Sequence, residues 1–267
     1  MPVTDKDIET FIQQGAAIVD GLLPDDIIDI ASKGMDELYE NHPERHTGII
    51  GYPQNPGLEQ LYQHPGLEEA AKKILGSDEV EFASAATLHT LPTDGEWSYN
   101  PESEHVDIQY TTNEWLEIPR RINIMFMVFL DDIPADRGPT VVRPGSHLQI
   151  AETLGDAAPY TDHPVNIKDL PKLDYAEPVP VSGKKGQVAI GSTAVIHAGS
   201  KNVSDKARKM LFINYTIKNR NLRFNVERED LRAEFLEAMY ERFPEDRKYL
   251  VKSALDTLKA NPDYGKR

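Results

Sequence analysis

The sequence predicts a mainly β protein with flanking helices: an antiparallel sandwich, jelly roll or barrel. Two observations carry that reading. From Val80 the apolar pattern repeats every second residue, in the runs VEFASAATLHTL, RINIMFMVFL, PTVVR, PVPV, QVAI, TAVIH and MLFINYTI, separated by Pro, Gly and Asp turns. Before residue 79 and after Arg228 the apolar spacing is helical instead.

Taken in order, Thr4 and Asp7 form a capping box ahead of Ile8, Phe11 and Ile12. Ala16 to Val19 reads as a short strand, and Pro24 opens a longer helix with Ile27, Ile28, Ala31, Met35 and Leu38 on one face. A third helix near Leu67 to Leu75 stops at Gly76. Residues 1–78 are thus a mostly helical N-terminal part, 79–220 the β core and 221–267 a helical C-terminal extension. The extension carries Leu231, Phe235, Leu236 and Met239, then Tyr249 to Leu258. No linker or repeat divides these parts, so one domain over 1–267 is expected. Residues 93–118 and 148–176 read as long irregular insertions, a length that is functional or disordered inside a compact domain.

Composition limits the chemistry. The 267 residues carry a net charge of −15 and no basic cluster, so a nucleic acid is excluded as partner. Cysteine is absent, which removes disulfides, thiolate catalysis and Cys-ligated metals. A transition metal must therefore use carboxylates and some of the eight histidines. The acidic start MPVTDKDIETF has no apolar core, and the longest apolar run, Ile124 to Leu130, is too short for a bilayer. A cytoplasmic protein with a small-molecule substrate and no membrane partner is expected; the helical extensions offer a surface for a homodimer.

His105 and Asp107 stand two apart in a strand-like stretch, so both side chains point the same way. Alone, the pair is weak evidence and reads more readily as two solvated strand residues. His197 alters the balance, because it closes the apolar run TAVIH, where an unpaired imidazole would be costly. Two histidines and one carboxylate make the facial set that suits non-haem Fe(II) and oxygen chemistry. Arg208 follows eleven residues after His197, at the head of the next apolar strand. A loop joining two adjacent strands brings it near the same pocket, where arginine holds a carboxylate in a bidentate fork.

With the run RGPTVVRPGSH between His105-Val106-Asp107 and His197…Arg208, and the opening GAAIVDGLL, residues 5 to 218 resemble the phytanoyl-CoA dioxygenase family. The resemblance implies a double-stranded β-helix (a cupin-like jelly roll), with Fe(II), 2-oxoglutarate and O2 as cofactor and cosubstrates. It implies iron ligation by His105, Asp107 and His197, and a grip by Arg208 on the distal carboxylate of 2-oxoglutarate. Asn202 and Ser204 match polar positions of the loop before that arginine, chiefly shaping the loop, with Ser204 able to touch cosubstrate. Gly199 departs from the family's usual serine. The activity implied is hydroxylation of a small metabolite or natural-product intermediate, releasing succinate and CO2. Related halogenases have a small residue at the place of Asp107, so the carboxylate favours hydroxylation.

Other readings complete the picture. Asn123, Met125, Met127 and Phe129 share one face of their strand and are expected to line the active site, with Asn123 touching cosubstrate or substrate, or standing in water at the strand mouth. Thr87 and His89 share a face and are expected to approach the same pocket, Thr87 as a cosubstrate contact. Gly138, Pro144 and Gly145 are read as turn formers and His147 as structural. Trp97, Tyr99, Tyr110, Trp115, Tyr160 and Tyr175 are expected over the mouth, with Arg120, Arg121, Arg137 and Arg143 open to an anionic group or solvent. The competing functions are a cupin-like metalloprotein that does not use 2-oxoglutarate, against which Arg208 argues, and a non-catalytic binding protein, against which the complete ligand set argues.

Overall fold

Thr4 caps the first helix as its sequence requires: its hydroxyl accepts from Asp7 N, and Asp7 Oδ2 accepts from Thr4 N at 2.8 Å. The computed structural model describes residues 3–45, 47–108, 123–155, 164–218 and 229–260. Helices α1 (Asp5–Gln14), α2 (Asp25–Glu40), α3 (Pro56–Tyr62) and α4 (Pro65–Leu75) form the N-terminal part. Strands β1 (Ala16–Val19) and β2 (Gly48–Gly51) lie between them. The core follows with β3 (Val80–Thr90), β4 (His105–Val106), β5 (Ile124–Phe129) and β6 (Val141–Val142). After α5 (Ser146–Leu154) come β7 (Val165–Asn166), β8 (Val179–Pro180), β9 (Val188–Ser192), β10 (His197–Ala198) and β11 (Arg208–Ile217). Helices α6 (Glu229–Arg242) and α7 (Tyr249–Lys259) close the described chain. No helix among the described residues is long and apolar enough to cross a membrane.

Two antiparallel sheets face each other, six strands in the order β1-β9-β5-β11-β3-β2 and five in the order β7-β4-β10-β6-β8. This is one of the arrangements that the period-two runs allow, and the jelly roll that the family resemblance implies. Alternation along each strand decides which layer a side chain joins. On β5 and β11, Phe126, Val128, Leu211, Ile213 and Tyr215 pack outward beneath the helices with Ile28, Met35, Leu61 and Phe235. Met127, Phe129 and Met210 point the other way and meet Val142, Val181 and Val195 of the facing layer. The second apolar cluster is therefore the filling between the sheets, and it is smaller, leaving room for a site.

The strand read at Ala16 to Val19 is present as β1, and with β2, which was not expected, it forms the edges of the large sheet. α3 and β2 lack long apolar runs and escape a reading based on periodicity. The 148–176 insertion is partly ordered: α5 takes its beginning and β7 pairs with β4. In TAVIH only His197 is strand; Thr193 to Ile196 form the crossing from the large sheet to the small one. The C-terminal helices lie on the chain's own core. Phe235 packs on Phe82, ring centroids 5.9 Å apart, and Glu68 takes an ion pair from Arg247 at 2.7 Å.

Candidate metal centre

β4 and β10 are neighbours in the small sheet, with His105 directly opposite His197. Their neighbours Val106 and Ile196 bury themselves on the outer side of that sheet with Ile150 and Leu170. Alternation therefore turns both imidazoles, and Asp107, into the space between the sheets. The imidazole centroids are 4.4 Å apart, inclined at 50°. Asp107 Oδ1 lies 3.7 Å from His105 Nε2, and its Oδ2 lies 3.8 Å from His197 Nε2. Those spacings are too long for hydrogen bonds. One donor atom from each of the three residues falls within 4.8 Å of the others.

The tautomers are fixed by the backbone. His105 Nδ1 lies 2.8 Å from Ser103 O, and His197 Nδ1 lies 3.0 Å from Val195 O. A carbonyl accepts only from N–H, so in the neutral ring each Nε2 keeps its lone pair toward the shared space. Burial, then the proximity of His197, hold the His105 imidazole below its ordinary pKa. Both effects favour the neutral form that ligates metals. Two imidazoles and a carboxylate, the donor set present, fit a divalent iron with open positions.

Arg208 starts β11, opposite Thr90, and is 1 % exposed. It reaches from the large sheet to the segment that leads into β6. Its Nη1 donates to Gly138 O, and its Nη2 to Thr140 Oγ1 at 2.9 Å and Met210 Sδ at 3.1 Å. Gly138 is held at φ 62°, and a Cβ there would stand 3.0 Å from Ser200 O, so the close passage needs glycine. All three acceptors are neutral, and among the described residues no carboxylate pairs with the guanidinium. Its Nε, also buried, has no hydrogen-bond partner among the described residues. Burial pulls the pKa down to about 9, the signature of a cation lacking its counter-charge. Such a group fits an incoming carboxylate.

Ser204 stands in a loop-shaping network. Its hydroxyl donates to Asn202 Oδ1 (2.8 Å) and lies 3.3 Å from Arg137 Nε, while Asn202 Nδ2 donates to Thr90 O and Lys206 O, each at 2.8 Å. Asn123 is buried just ahead of β5, and its carbonyl accepts from Thr193 Oγ1 at 3.1 Å. Met125, Met127 and Phe129 do face the space between the sheets, as expected.

Thr87 requires correction. It pairs with Leu211, an outward residue, and its hydroxyl lies 2.9 Å from Tyr39 Oη of α2. The alternation of β3 places it on the helix side, away from the triad. Arg137 and Arg143 are likewise not open to an anion: Arg137 lies 3.5 Å from Asp131, and Arg143 Nε lies 2.8 Å from Glu104 Oε1. That second pair was not foreseen, because nothing in the spacing of Glu104 and Arg143 joins them. His147 is buried with Nε2 on Ile12 O at 2.9 Å, in agreement with a structural role. Tyr110, Trp115, Tyr160, Arg120 and Arg121 lie outside the described residues.

The chain resembles known proteins over most of this architecture. Ectoine dioxygenase of Bordetella bronchiseptica is 28% identical over 177 residues, 60% of this chain and 54% of that protein. L-proline trans-4-hydroxylase of Streptomyces griseoviridis is 25% identical over 171 residues, 58% of this chain and 61% of that one. The chain thus spans little more than half the length of these curated relatives. Among solved structures, the carbocyclase SnoK from nogalamycin biosynthesis superposes with a TM-score of 0.64 at 17% identity, covering 86% of this chain and 90% of that one. EctD from S. alaskensis, solved with 2-oxoglutarate and 5-hydroxyectoine, gives 0.60 at 19% identity over 85% and 81%. At those identities the likeness establishes the fold. The model of the phytanoyl-CoA dioxygenase (PhyH) family matches residues 11–210, which include all three triad residues and Arg208. On that match over most of its length, the chain belongs to the phytanoyl-CoA dioxygenase family.

Proposed function

We propose that this chain is an Fe(II)- and 2-oxoglutarate-dependent dioxygenase that hydroxylates a small organic molecule. One observation carries the reading: the His105, Asp107 and His197 donors converge on the same inter-sheet space into which a buried Arg208, without a carboxylate partner among the described residues, projects. A metalloprotein without 2-oxoglutarate has no use for a buried guanidinium, which is costly to bury unpaired. Bound Fe(II) and 2-oxoglutarate would supply the oxidising chemistry, coupling decarboxylation of the cosubstrate to oxidation of a substrate C–H bond.

The protein's own residues perform the remaining tasks. His105, Asp107 and His197 hold the metal, and the Ser103 and Val195 carbonyls keep each Nδ1 protonated and each ring oriented. Arg208 grips the far carboxylate of 2-oxoglutarate, with Thr140 and Gly138 aiming its fork. Met127, Phe129 and Met210 keep water from that carboxylate and strengthen the ion pair by lowering the local dielectric. Ser204 acts through the loop rather than on the cosubstrate, since its hydroxyl is already bonded to Asn202. A freely diffusing cytoplasmic enzyme is the setting we propose.

Succinate release with Fe(II), 2-oxoglutarate and O2 across a metabolite panel, starting with ectoine and L-proline, tests the reading. It requires at least one compound that raises succinate above the substrate-free rate and gains one oxygen by mass. No 2-oxoglutarate consumption under any iron loading would instead favour the cupin-like alternative.

A further inference from the structure

The inner face of the large sheet is organised in rows that run across the strands. Arg208 and Thr90 form the row at one end; Phe129, Met210 and Leu88 form the next, then Met127, Phe212 and Ala86. The last row joins Gly191, Met125, Asn214 and Ser84. Along β5 and β11 burial falls toward the last row: Phe129, Met127 and Met210 are buried, whereas Met125, Phe212 and Asn214 are half-buried; on β3 the residues of this face from Ser84 to Thr90 are all half-buried. The inter-sheet space therefore opens toward the last row, where Gly191 and Ser84, with Ala86 of the row before, are small and leave room above the sheet.

This open end is also the end to which the triad is tied. Asp107 N–H donates to Thr193 O at 2.8 Å, and the Thr193 hydroxyl donates to Asn123 O at 3.1 Å, two residues before Met125. Within the apolar surroundings stands one polar pair, Asn214 Nδ2 donating to Ser84 Oγ at 3.0 Å. Among the described residues, Asn214 has no other side-chain hydrogen bond. Its register is set by an irregularity: Asn214 faces Ser84 but Tyr215 faces Phe82, so Ala83 is an extra residue in β3. The bulge lets Phe82 face the helices while Ser84 faces inward, and Arg232 Nε takes the Ala83 carbonyl at 3.0 Å. Bulges of this kind re-aim side chains beside active sites.

We infer that Asn214, braced by Ser84, recognises the substrate through one uncharged hydrogen-bonding group, a hydroxyl, carbonyl or amide. The apolar body of the substrate lies on Met125, Phe212 and Ala86, with its reacting carbon toward the triad. The inference rests on the oxygenase reading and narrows its substrate class. Among the described residues the three rows beyond that of Arg208 carry no charged side chain, and a carboxamide cannot compensate a buried charge, so the group read here is neutral. Carboxamides both donate and accept, which is why the pair selects for hydrogen bonding rather than for sign.

The cysteine-free chain allows a test that needs neither iron nor substrate. Asn214→Cys and Thr87→Cys each create a single thiol, on opposite faces of the same sheet. With a small methanethiosulfonate reagent followed by intact mass, the thiol at 214 should react at least ten times faster. Equal rates overturn the inference. For any compound that the wild type oxidises, Asn214→Leu should raise KM roughly 10- to 100-fold, the cost of one hydrogen bond in a desolvated site. The 2-oxoglutarate dissociation constant should move less than two-fold, and Ser84→Ala should fall between. A KM within two-fold of wild type in Asn214→Leu rejects the contact. Failure of the wild type to bind 2-oxoglutarate with iron would count against the oxygenase reading instead.

Discussion

Arg143 joins the two strands that carry the histidines. Its N–H donates to Ile196 O at 2.9 Å, next to His197, and its Nε donates to Glu104 Oε1 at 2.8 Å, next to His105. Glu104 is 1 % exposed in its side chain, so the pair is largely desolvated. Arg143→Met would leave a buried carboxylate unpaired, at a cost on the order of 3 kcal/mol. It should also loosen the triad, weakening Fe(II) binding by roughly 10- to 100-fold, as outer partners of metal ligands do. Urea midpoints and anaerobic metal titrations check the two effects. The Glu104→Gln/Arg143→Met double variant should recover most of the stability but not the metal affinity.

Arg208 makes a different prediction, because it is a buried cation with no counter-charge among the described residues. Arg208→Met removes that charge at similar volume, so the chain without ligands should be as stable as wild type or more so. The stabilisation that 2-oxoglutarate gives to wild type should vanish in the variant. Arg208→Lys keeps the charge without the planar fork, and should weaken 2-oxoglutarate binding by about 100-fold. Thermal melts with and without 2-oxoglutarate separate these outcomes.

The His147 imidazole supplies a pH dependence. Burial lowers its pKa to about 4, against 6.5 in the unfolded chain. Between those values the unfolded chain binds a proton that the folded one refuses, so stability is complete above pH 6.5 and declines as pH falls toward 4. The gap corresponds to about 3 kcal/mol. His147→Gln, which can still donate to Ile12 O, should flatten that part of the stability profile relative to wild type, read by urea denaturation from pH 7 to 4.

The parts of this architecture that rest on local patterns were legible in the sequence. The capping box at Thr4, the inward face of Met125, Met127 and Phe129, and the shared orientation of His105 and Asp107 all follow from periods of 3.6 or 2. What escaped depends on partners far along the chain. Thr87 was assigned to the pocket because alternation gives two faces without saying which is inner; Tyr39, forty-eight residues earlier, decides it. The Glu104–Arg143 pair spans thirty-nine residues, and the bulge at Ala83 is a property of strand pairing. Helix α5 was hidden by Pro-Gly turn chemistry directly before it.

Helices α6 and α7 lie beyond the family match, which ends at 210, yet Phe235, Leu236, Met239, Leu250 and Val251 are buried in the main core. A chain ended at residue 228 would expose these contacts and free the Arg232 and Arg247 partners. It should lose its cooperative thermal transition, read by circular dichroism. A truncated chain that melts like wild type would show the extension to be dispensable for folding.

The central claim is that His105, Asp107 and His197 hold one ferrous ion beside 2-oxoglutarate gripped by Arg208. Anaerobic titration of the wild-type chain with Fe(II) in the presence of 2-oxoglutarate, followed by visible absorption, tests it most directly. The expected result is a charge-transfer band that needs both components, saturates at one iron per chain and is lost in His105→Ala. A band that persists in His105→Ala, or no band in wild type at saturating iron and 2-oxoglutarate, would contradict it.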